Sequence, residues 1–141
     1  MSKLILFTLC VFVGCSSKSS INYNGFPITI EYKKGTVRSG VDRDGNDWQQ
    51  KMFHHYGRFD DIVGADGEKL DVYVNAGVKS NKLFRITQLN VLTKEFDEYK
   101  IMVAFKDEAH AKRAYLMHYP DNWEGYGGIE EISFMELVNE W

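Results

Sequence analysis

Asp66, Glu68 and Asp71 place three carboxylates within six positions, where a Gly-containing turn runs into a strand. In Asp66-Gly67-Glu68-Lys69-Leu70-Asp71-Val72-Tyr73-Val74, the apolar Leu70, Val72 and Val74 share one strand face. Asp71 and Tyr73 then share the other. Hard oxygen donors grouped at a rigid strand edge suit a Mg²⁺-type ion, which prefers carboxylate and water to imidazole or thiolate. The bland alternative is a polar turn with solvated charges, so the surrounding chain must decide.

Several strands are needed to position these groups. Phe26 to Tyr32 alternates, with Phe26, Ile28, Ile30 and Tyr32 on one side and Thr29 and Glu31 on the other. Gly35 to Val41, Tyr56 to Ile62 and Leu83 to Leu92 read as further strands. Glu98 to Phe105 sets Tyr99, Ile101, Val103 and Phe105 against Glu98, Lys100, Met102 and Ala104. Asp42 to Asp47 reads as a turn, and its Gly45 falls too early for an EF-hand loop. Short strands with turn signals predict a mainly β, α+β fold: a small OB-like antiparallel β-barrel closed by two C-terminal helices. Asp107 caps a helix running to Tyr119, where Pro120 stops it. Ser133 and Glu136 match a capping box, followed by a stripe of Phe134, Leu137, Val138 and Trp141. Both helices read as packing elements.

The chain of 141 residues allows one domain, and 44% apolar content is enough for a core. A net charge of −3 with no Lys/Arg block leaves nucleic-acid binding without an electrostatic footprint. The first twenty residues differ in kind. Lys3 precedes an apolar run from Leu4 to Val13, shorter than the roughly 20 residues a bilayer-spanning helix needs. It has the length of a signal-peptide core. Gly14-Cys15 and the Ser-rich 16–20 follow, the pattern of a bacterial lipoprotein signal cleaved before a lipidated Cys15. Residues 21–141 would then form the folded domain. Cys10 and Cys15 are the only cysteines, so that domain would offer no thiolate metal site and no Cys nucleophile.

Tyr56-Gly57 followed by the acidic stretch resembles the signature of soluble family I inorganic pyrophosphatases, Tyr-Gly and then Asp-Gly-Asp-Pro-hydrophobic-Asp-hydrophobic. Phe96 to Phe105 resembles the downstream strand that carries a further metal carboxylate and a phosphate-binding Lys. A shorter pyrophosphatase-like domain of phage and mobile-element proteins is closer still. Its Lys-Gly-x-x-Arg-x-Gly, His-Tyr-Gly, Gly-Ala-Asp-Gly, Asp-Val-Tyr and Phe-Asp-Glu-x-Lys elements occur in order between Phe26 and Trp141.

The resemblance implies hydrolysis of inorganic pyrophosphate with Mg²⁺, or Mn²⁺ in its place. Asp66, Asp71 and Glu98 would be metal ligands, with Glu31 and Asp97 behind them. Glu98 is preferred to Asp97 because it shares a strand face with Lys100. Glu68 would activate the attacking water. Arg38, Lys51, Tyr56, Lys100 and Tyr119 would hold the phosphoryl groups, with Arg38, Tyr56 and Lys100 also acting in catalysis. The chain departs from the family pattern in four places: Glu68 stands for an Asp, Lys69 for a Pro, Lys51 for an Arg, and Thr93 for a metal carboxylate. Three readings follow. The chain is a pyrophosphate hydrolase, a metal- and phosphate-binding module without turnover, or an interaction protein displayed on a membrane.

The remaining conspicuous residues read as structural. His54 and His55 are adjacent on an extended segment and point to opposite faces, which disfavours chelation of one ion; they read as turn or surface residues, with one of them lining the pocket as the alternative. His110 and His118 belong to the first helix. Trp48 and Trp123 are core by default, with a cleft wall as the alternative. Gly125, Gly127 and Gly128 read as a loop, either closing over substrate or merely connecting.

Overall fold

Apolar alternation dictates the central strands, and a computed structural model describes residues 18–139. The elements are β1 (Ser19–Tyr23), β2 (Phe26–Tyr32), β3 (Val37–Val41), β4 (Asp47–Lys51), β5 (His55–Val63) and β6 (Lys69–Val74). They continue with β7 (Leu83–Leu89), β8 (Phe96–Val103), α1 (Glu108–Leu116), β9 (Tyr126–Ile132) and α2 (Phe134–Asn139). Cys15 and Trp141 lie outside the described residues.

The α+β class holds, but the expected closed barrel does not. Among the described residues, seven strands form one sheet in the order β9-β7-β8-β6-β5-β2-β1, and β9 and β1 do not pair with each other. β3 and β4 form a separate two-stranded hairpin. Nor is the sheet wholly antiparallel, because β6 and β8 run parallel, with Asp71 opposite Lys100. The segment between β6 and β7 passes over the end of β8, so the β7–β8 pair folds back and inserts β8 beside β6. Asn75 ties this crossing down: its N–H donates to the Val103 carbonyl at 3.0 Å and its side-chain amide to the Ala104 carbonyl at 3.1 Å.

Leu70, Val72 and Val74 share a face with Ile101 and Val103, as their alternation predicts. The alternation expected through Phe105 breaks at Ala104. Its φ of +72° reverses the chain, so Ala104 joins Val103 in one cluster while Phe105 turns to the opposite face. α2 packs on the first face through Leu137, Phe134 and Val138. Its predicted capping box is present: the Glu136 N–H donates to Ser133 Oγ at 3.1 Å and the Ser133 N–H to Glu136 Oε1 at 2.8 Å. α1 covers the other face with Ala111, Ala114 and Tyr115, and Asp107 caps it by accepting the His110 N–H at 2.8 Å.

Three strands carry no clear sequence signal. β4 is Asp-Trp-Gln-Gln-Lys, almost entirely exposed. β1 starts at Ser19 inside the Ser-rich segment and pairs with β2. β9 includes Gly127 and Gly128 and pairs with β7, so those glycines belong to an edge strand rather than a loop.

Candidate active site

Tyr56 reaches the site because Gly57 lets two strands approach closely. A Cβ at Gly57 would stand 1.8 Å from the Thr29 carbonyl oxygen, which no side chain tolerates. The Tyr56-Gly57 pair is thus a backbone requirement coupled to a functional side chain. Tyr56 then packs on Tyr73, with ring centroids 4.7 Å apart.

The parallel β6–β8 register brings the charges together. Lys100 Nζ lies 2.7 Å from Asp71 Oδ2 and 3.2 Å from Glu98 Oε1. The ammonium also donates to the Tyr56 hydroxyl at 3.0 Å, and that hydroxyl donates to Asp71 Oδ2 at 2.9 Å. Lys100 is only 4% exposed. A buried charge needs partners, and here two carboxylates and a phenol supply them.

These groups divide their protons unequally. Burial works against the Asp71 charge, but Lys100, with hydrogen bonds from Lys100, Tyr56 and Glu98, holds its carboxyl below the ordinary range. Burial pushes Glu98 the other way, and the Asp71 charge adds to that against the pull of Lys100. Burial disfavours the Lys100 charge, yet Tyr56, Tyr119, Asp71 and Glu98 raise its pKa well above the usual value. Burial also raises Tyr56, so it stays a hydroxyl. Two neighbouring carboxyls pushed apart in this way are suited to distinct acid and base roles.

Gln88 is a site residue the sequence reading missed. Its Oε1 accepts from the Tyr115 hydroxyl at 2.7 Å and from Tyr119 at 3.0 Å. That turns Nε2 toward Asp97 at 3.4 Å and Glu98 at 3.5 Å. The available signal was a polar residue at the end of the Phe84, Ile86, Gln88 alternation, on an otherwise apolar face. Trp123 extends the chain of contacts by donating to the Tyr115 hydroxyl at 3.0 Å.

The other predicted residues fall into two groups. Arg38, on β3, sets its guanidinium 4.5 Å from the Tyr56 ring centroid and 5.6 Å from that of Trp48. Among the described residues no carboxylate pairs with it. Tyr119 and Asp97 border the same cleft as Arg38. Lys51 is exposed at the end of β4, 6.0 Å from the Phe53 ring, and does not line that cleft. Glu31 pairs with Arg58 at 2.7 Å, and Arg58 stands opposite Asp71 in the β5–β6 register.

Asp66 and Glu68 sit on an exposed turn closed by the Gly64 N–H to the Glu68 carbonyl at 2.7 Å, with Gly67 at a φ of +83°. Asp66 Oδ1 accepts the Glu68 N–H at 2.9 Å. Thr93 lies in the turn after β7, where its Oγ1 accepts the Glu95 N–H at 3.2 Å. Asp66, Asp71 and Glu98 line one small cavity with Gly64 and Tyr99, about 10 Å³ in volume. Their hard oxygens fit a divalent cation of the Mg²⁺ type. Among the described residues, however, no three His, Cys, Asp or Glu side chains are grouped closely enough to hold an ion.

The histidines pack and bond to the backbone, and His118 lies past the end of α1 on the wall of the Arg38 cleft. His118 Nδ1 lies 2.7 Å from the Ala114 carbonyl while Nε2 accepts the Phe53 N–H at 3.0 Å, which fixes a neutral ring. His55 Nδ1 accepts the Lys34 N–H at 2.9 Å. His54 packs edge-on against Phe105.

The ordered signature and the charged centre on β5, β6 and β8 agree with the family model for inorganic pyrophosphatase, which matches residues 12–141. The chain belongs to the inorganic pyrophosphatase family. No curated relative and no solved structure matches it. The pyrophosphatase signature is thus spread over two settings, with Asp71 on a buried strand and Asp66 and Glu68 on the exposed turn before it. Lys69, where the family pattern has Pro, opens β6 and pairs with Val63.

Proposed function

We propose that the chain hydrolyses inorganic pyrophosphate to phosphate with Mg²⁺, Mn²⁺ serving in its place. The observation that carries this reading is the cluster of Asp71, Glu98, Lys100 and Tyr56, which sets anionic oxygens beside a permanent ammonium, with the Arg38 guanidinium against the Tyr56 ring. Asp66, Asp71 and Glu98 would hold the metal. When bound, the metal would neutralise phosphoryl oxygens and make water a better nucleophile. The chain's own residues do the rest. Lys100 and Arg38 offset the charge that develops on the phosphoryl groups, and Tyr56 donates a hydrogen bond beside them. Lys100 holds the Asp71 carboxyl in its anionic form, ready to ligate a cation. Glu68 keeps the water-activating role that the family pattern gives its position, and Lys51 and Tyr119 keep theirs toward phosphate.

The test is phosphate release from pyrophosphate by the purified chain with Mg²⁺ and with a chelator, beside Asp71→Asn. Metal-dependent release that the variant lacks supports the reading. A folded native chain that releases no phosphate with either Mg²⁺ or Mn²⁺ rejects it.

A second reading is favoured by one observation: Lys100 already neutralises Asp71 and Glu98. On that reading the centre binds metal and phosphate without turning substrate over. Calorimetric binding of Mg²⁺ and phosphate with no release would distinguish it. An interaction protein would show neither, and would instead recover a partner by pull-down. The family membership offers no support for nucleic-acid binding.

We also propose that Cys15 is lipidated and anchors the chain on the outer side of a bacterial membrane. The support is the order of Lys3, apolar run, Gly14-Cys15 and serines. Cys15→Ser should release the protein into the soluble fraction, and unchanged membrane association would contradict the anchor.

A further inference from the structure

We infer that the cleft beside the charged centre holds the ring of an organic phosphoanhydride, a nucleoside di- or triphosphate, so that the substrate class extends beyond inorganic pyrophosphate. This rests on the hydrolase reading of the neighbouring carboxylates and adds a second subsite to it.

The cleft measures about 1050 Å³ and is open to Arg38, Trp48, Tyr119 and Trp123. That is the size of pockets which enclose drug-sized ligands. Inorganic pyrophosphate is two phosphoryl groups with no apolar surface, and needs neither the space nor the walls. Yet Trp48 is 37% exposed, Val91 38% and Leu92 66%, all on the rim of this cleft. Large apolar side chains gathered at an open cleft mark a binding surface more often than chance exposure.

Arg38 joins the two subsites. One guanidinium lies against Tyr56, which is bonded to Asp71 and Lys100, and against Trp48, which walls the cleft. A molecule with phosphates at Arg38 and a ring against the tryptophans would therefore use both at once. Trp48 and the Tyr119–Trp123 pair favour a flat ring over an aliphatic chain. Tyr119 and Trp123 are stacked with centroids 4.4 Å apart and planes 19° off parallel, a rigid aromatic wall. Amides stand beside it: Asn90 spends its Oδ1 on the Leu92 and Thr93 N–H groups at 2.9 and 3.1 Å, which leaves its NH₂ to donate. Gln49 lines the same cleft, and Asp97 offers an acceptor for sugar hydroxyls. Stacking faces with amide edges and a carboxylate suit a base and its ribose. A prenyl chain would leave the amides unsatisfied.

The experiment compares two non-hydrolysable ligands by calorimetry on the full chain in Mg²⁺ buffer: α,β-methylene-ADP and methylenediphosphonate. Stacking of one base predicts roughly tenfold or tighter binding of the nucleotide. Trp48→Ala should remove most of that advantage, and Trp48→Phe should keep most of it. Trp48 is on the exposed hairpin, so neither change threatens the fold. Equal affinity for the two ligands, an advantage untouched by Trp48→Ala, or tighter binding of a prenyl methylenediphosphonate would overturn the inference. Pyrophosphate hydrolysis measured in parallel separates the two claims. Hydrolysis without a nucleotide advantage rejects the ring subsite alone. A nucleotide advantage without pyrophosphate hydrolysis supports the ring subsite and removes the reading beneath it.

Discussion

The two faces of the seven-stranded sheet are built from the same strands but from different chemistry. The buried heart of the face under α2 is aliphatic with one Phe, namely Ile28, Ile30, Phe59, Val72, Ile101 and Val103, and Tyr23 and Tyr99 pack only at its margin. The side under α1 is rich in tyrosine and methionine, with Tyr56, Tyr73 and Met102 from the sheet, Met52 from the turn before β5 and Tyr115 from α1 itself. Lys100, Gln88 and His118 are buried on that side, touching Tyr56, Tyr115 and Tyr73 respectively. A tyrosine buries its ring and still offers a hydroxyl, so a tyrosine-rich face can host a buried ammonium that a purely aliphatic one would expel. The α2 face is a packing surface, and the α1 face carries the polar groups of the candidate site.

Lys100→Met is the strongest way to break this contrast. It leaves Asp71 and Glu98 facing each other without their cation. Removing one partner of a buried ionic group costs ~3–5 kcal/mol. Urea unfolding at neutral pH should show a loss of that order, and pyrophosphate hydrolysis should fall about 100-fold or more. A variant as stable and active as the native chain would mean the cluster is incidental.

Ile28→Ala tests the opposite face. Truncating a fully buried Ile costs ~2–5 kcal/mol in urea unfolding, while hydrolysis per folded molecule should stay at the native value. A rate loss beyond the unfolded fraction would show that the faces are not separable. In its effect on rate, Tyr56→Phe should fall between the two. It removes one hydroxyl bonded to both Asp71 and Lys100, worth ~1.5–3 kcal/mol by the same unfolding measurement. Its rate loss should be smaller than that of Lys100→Met.

The smallest expected effect is a pH slope. Burial, with His118 and Lys34 nearby, lowers the His54 pKa from 6.5 to about 4. A depressed folded value means that its contribution to stability is present above pH 6.5 and is lost as pH falls toward about 4. His118 is lowered by its burial and acts in the same direction. Unfolding free energy should therefore decline across that window, and His54→Phe should flatten the decline. An unchanged slope in the variant would assign the titration to other groups.

Much of this contrast was legible in the sequence. The alternation of Leu70, Val72 and Val74 against Asp71 and Tyr73, and of Ile101 and Val103 against Glu98 and Lys100, assigned both faces correctly, because a buried strand must alternate. Three things were not legible. The open sheet and the parallel β6–β8 pair depend on which strands become neighbours, and local alternation does not specify neighbours. The strands at β1, β4 and β9 are exposed or glycine-containing edges whose pairing rests on the backbone. The reversal at Ala104 is a left-handed residue that nothing in Met-Val-Ala-Phe announces. In the candidate site, motif and strand parity agreed on Asp71, Glu98 and Lys100, and the structure brings these three together. Gln88 was missed because it lies outside the motif, although its parity marked it.

The most direct test follows pyrophosphate by phosphorus NMR with catalytic amounts of the native full chain, in Mg²⁺ and then in excess chelator. The account predicts that the pyrophosphate signal is replaced by orthophosphate in Mg²⁺ and that chelation stops the conversion. A pyrophosphate signal that persists in Mg²⁺ beside a protein shown to be folded would contradict it.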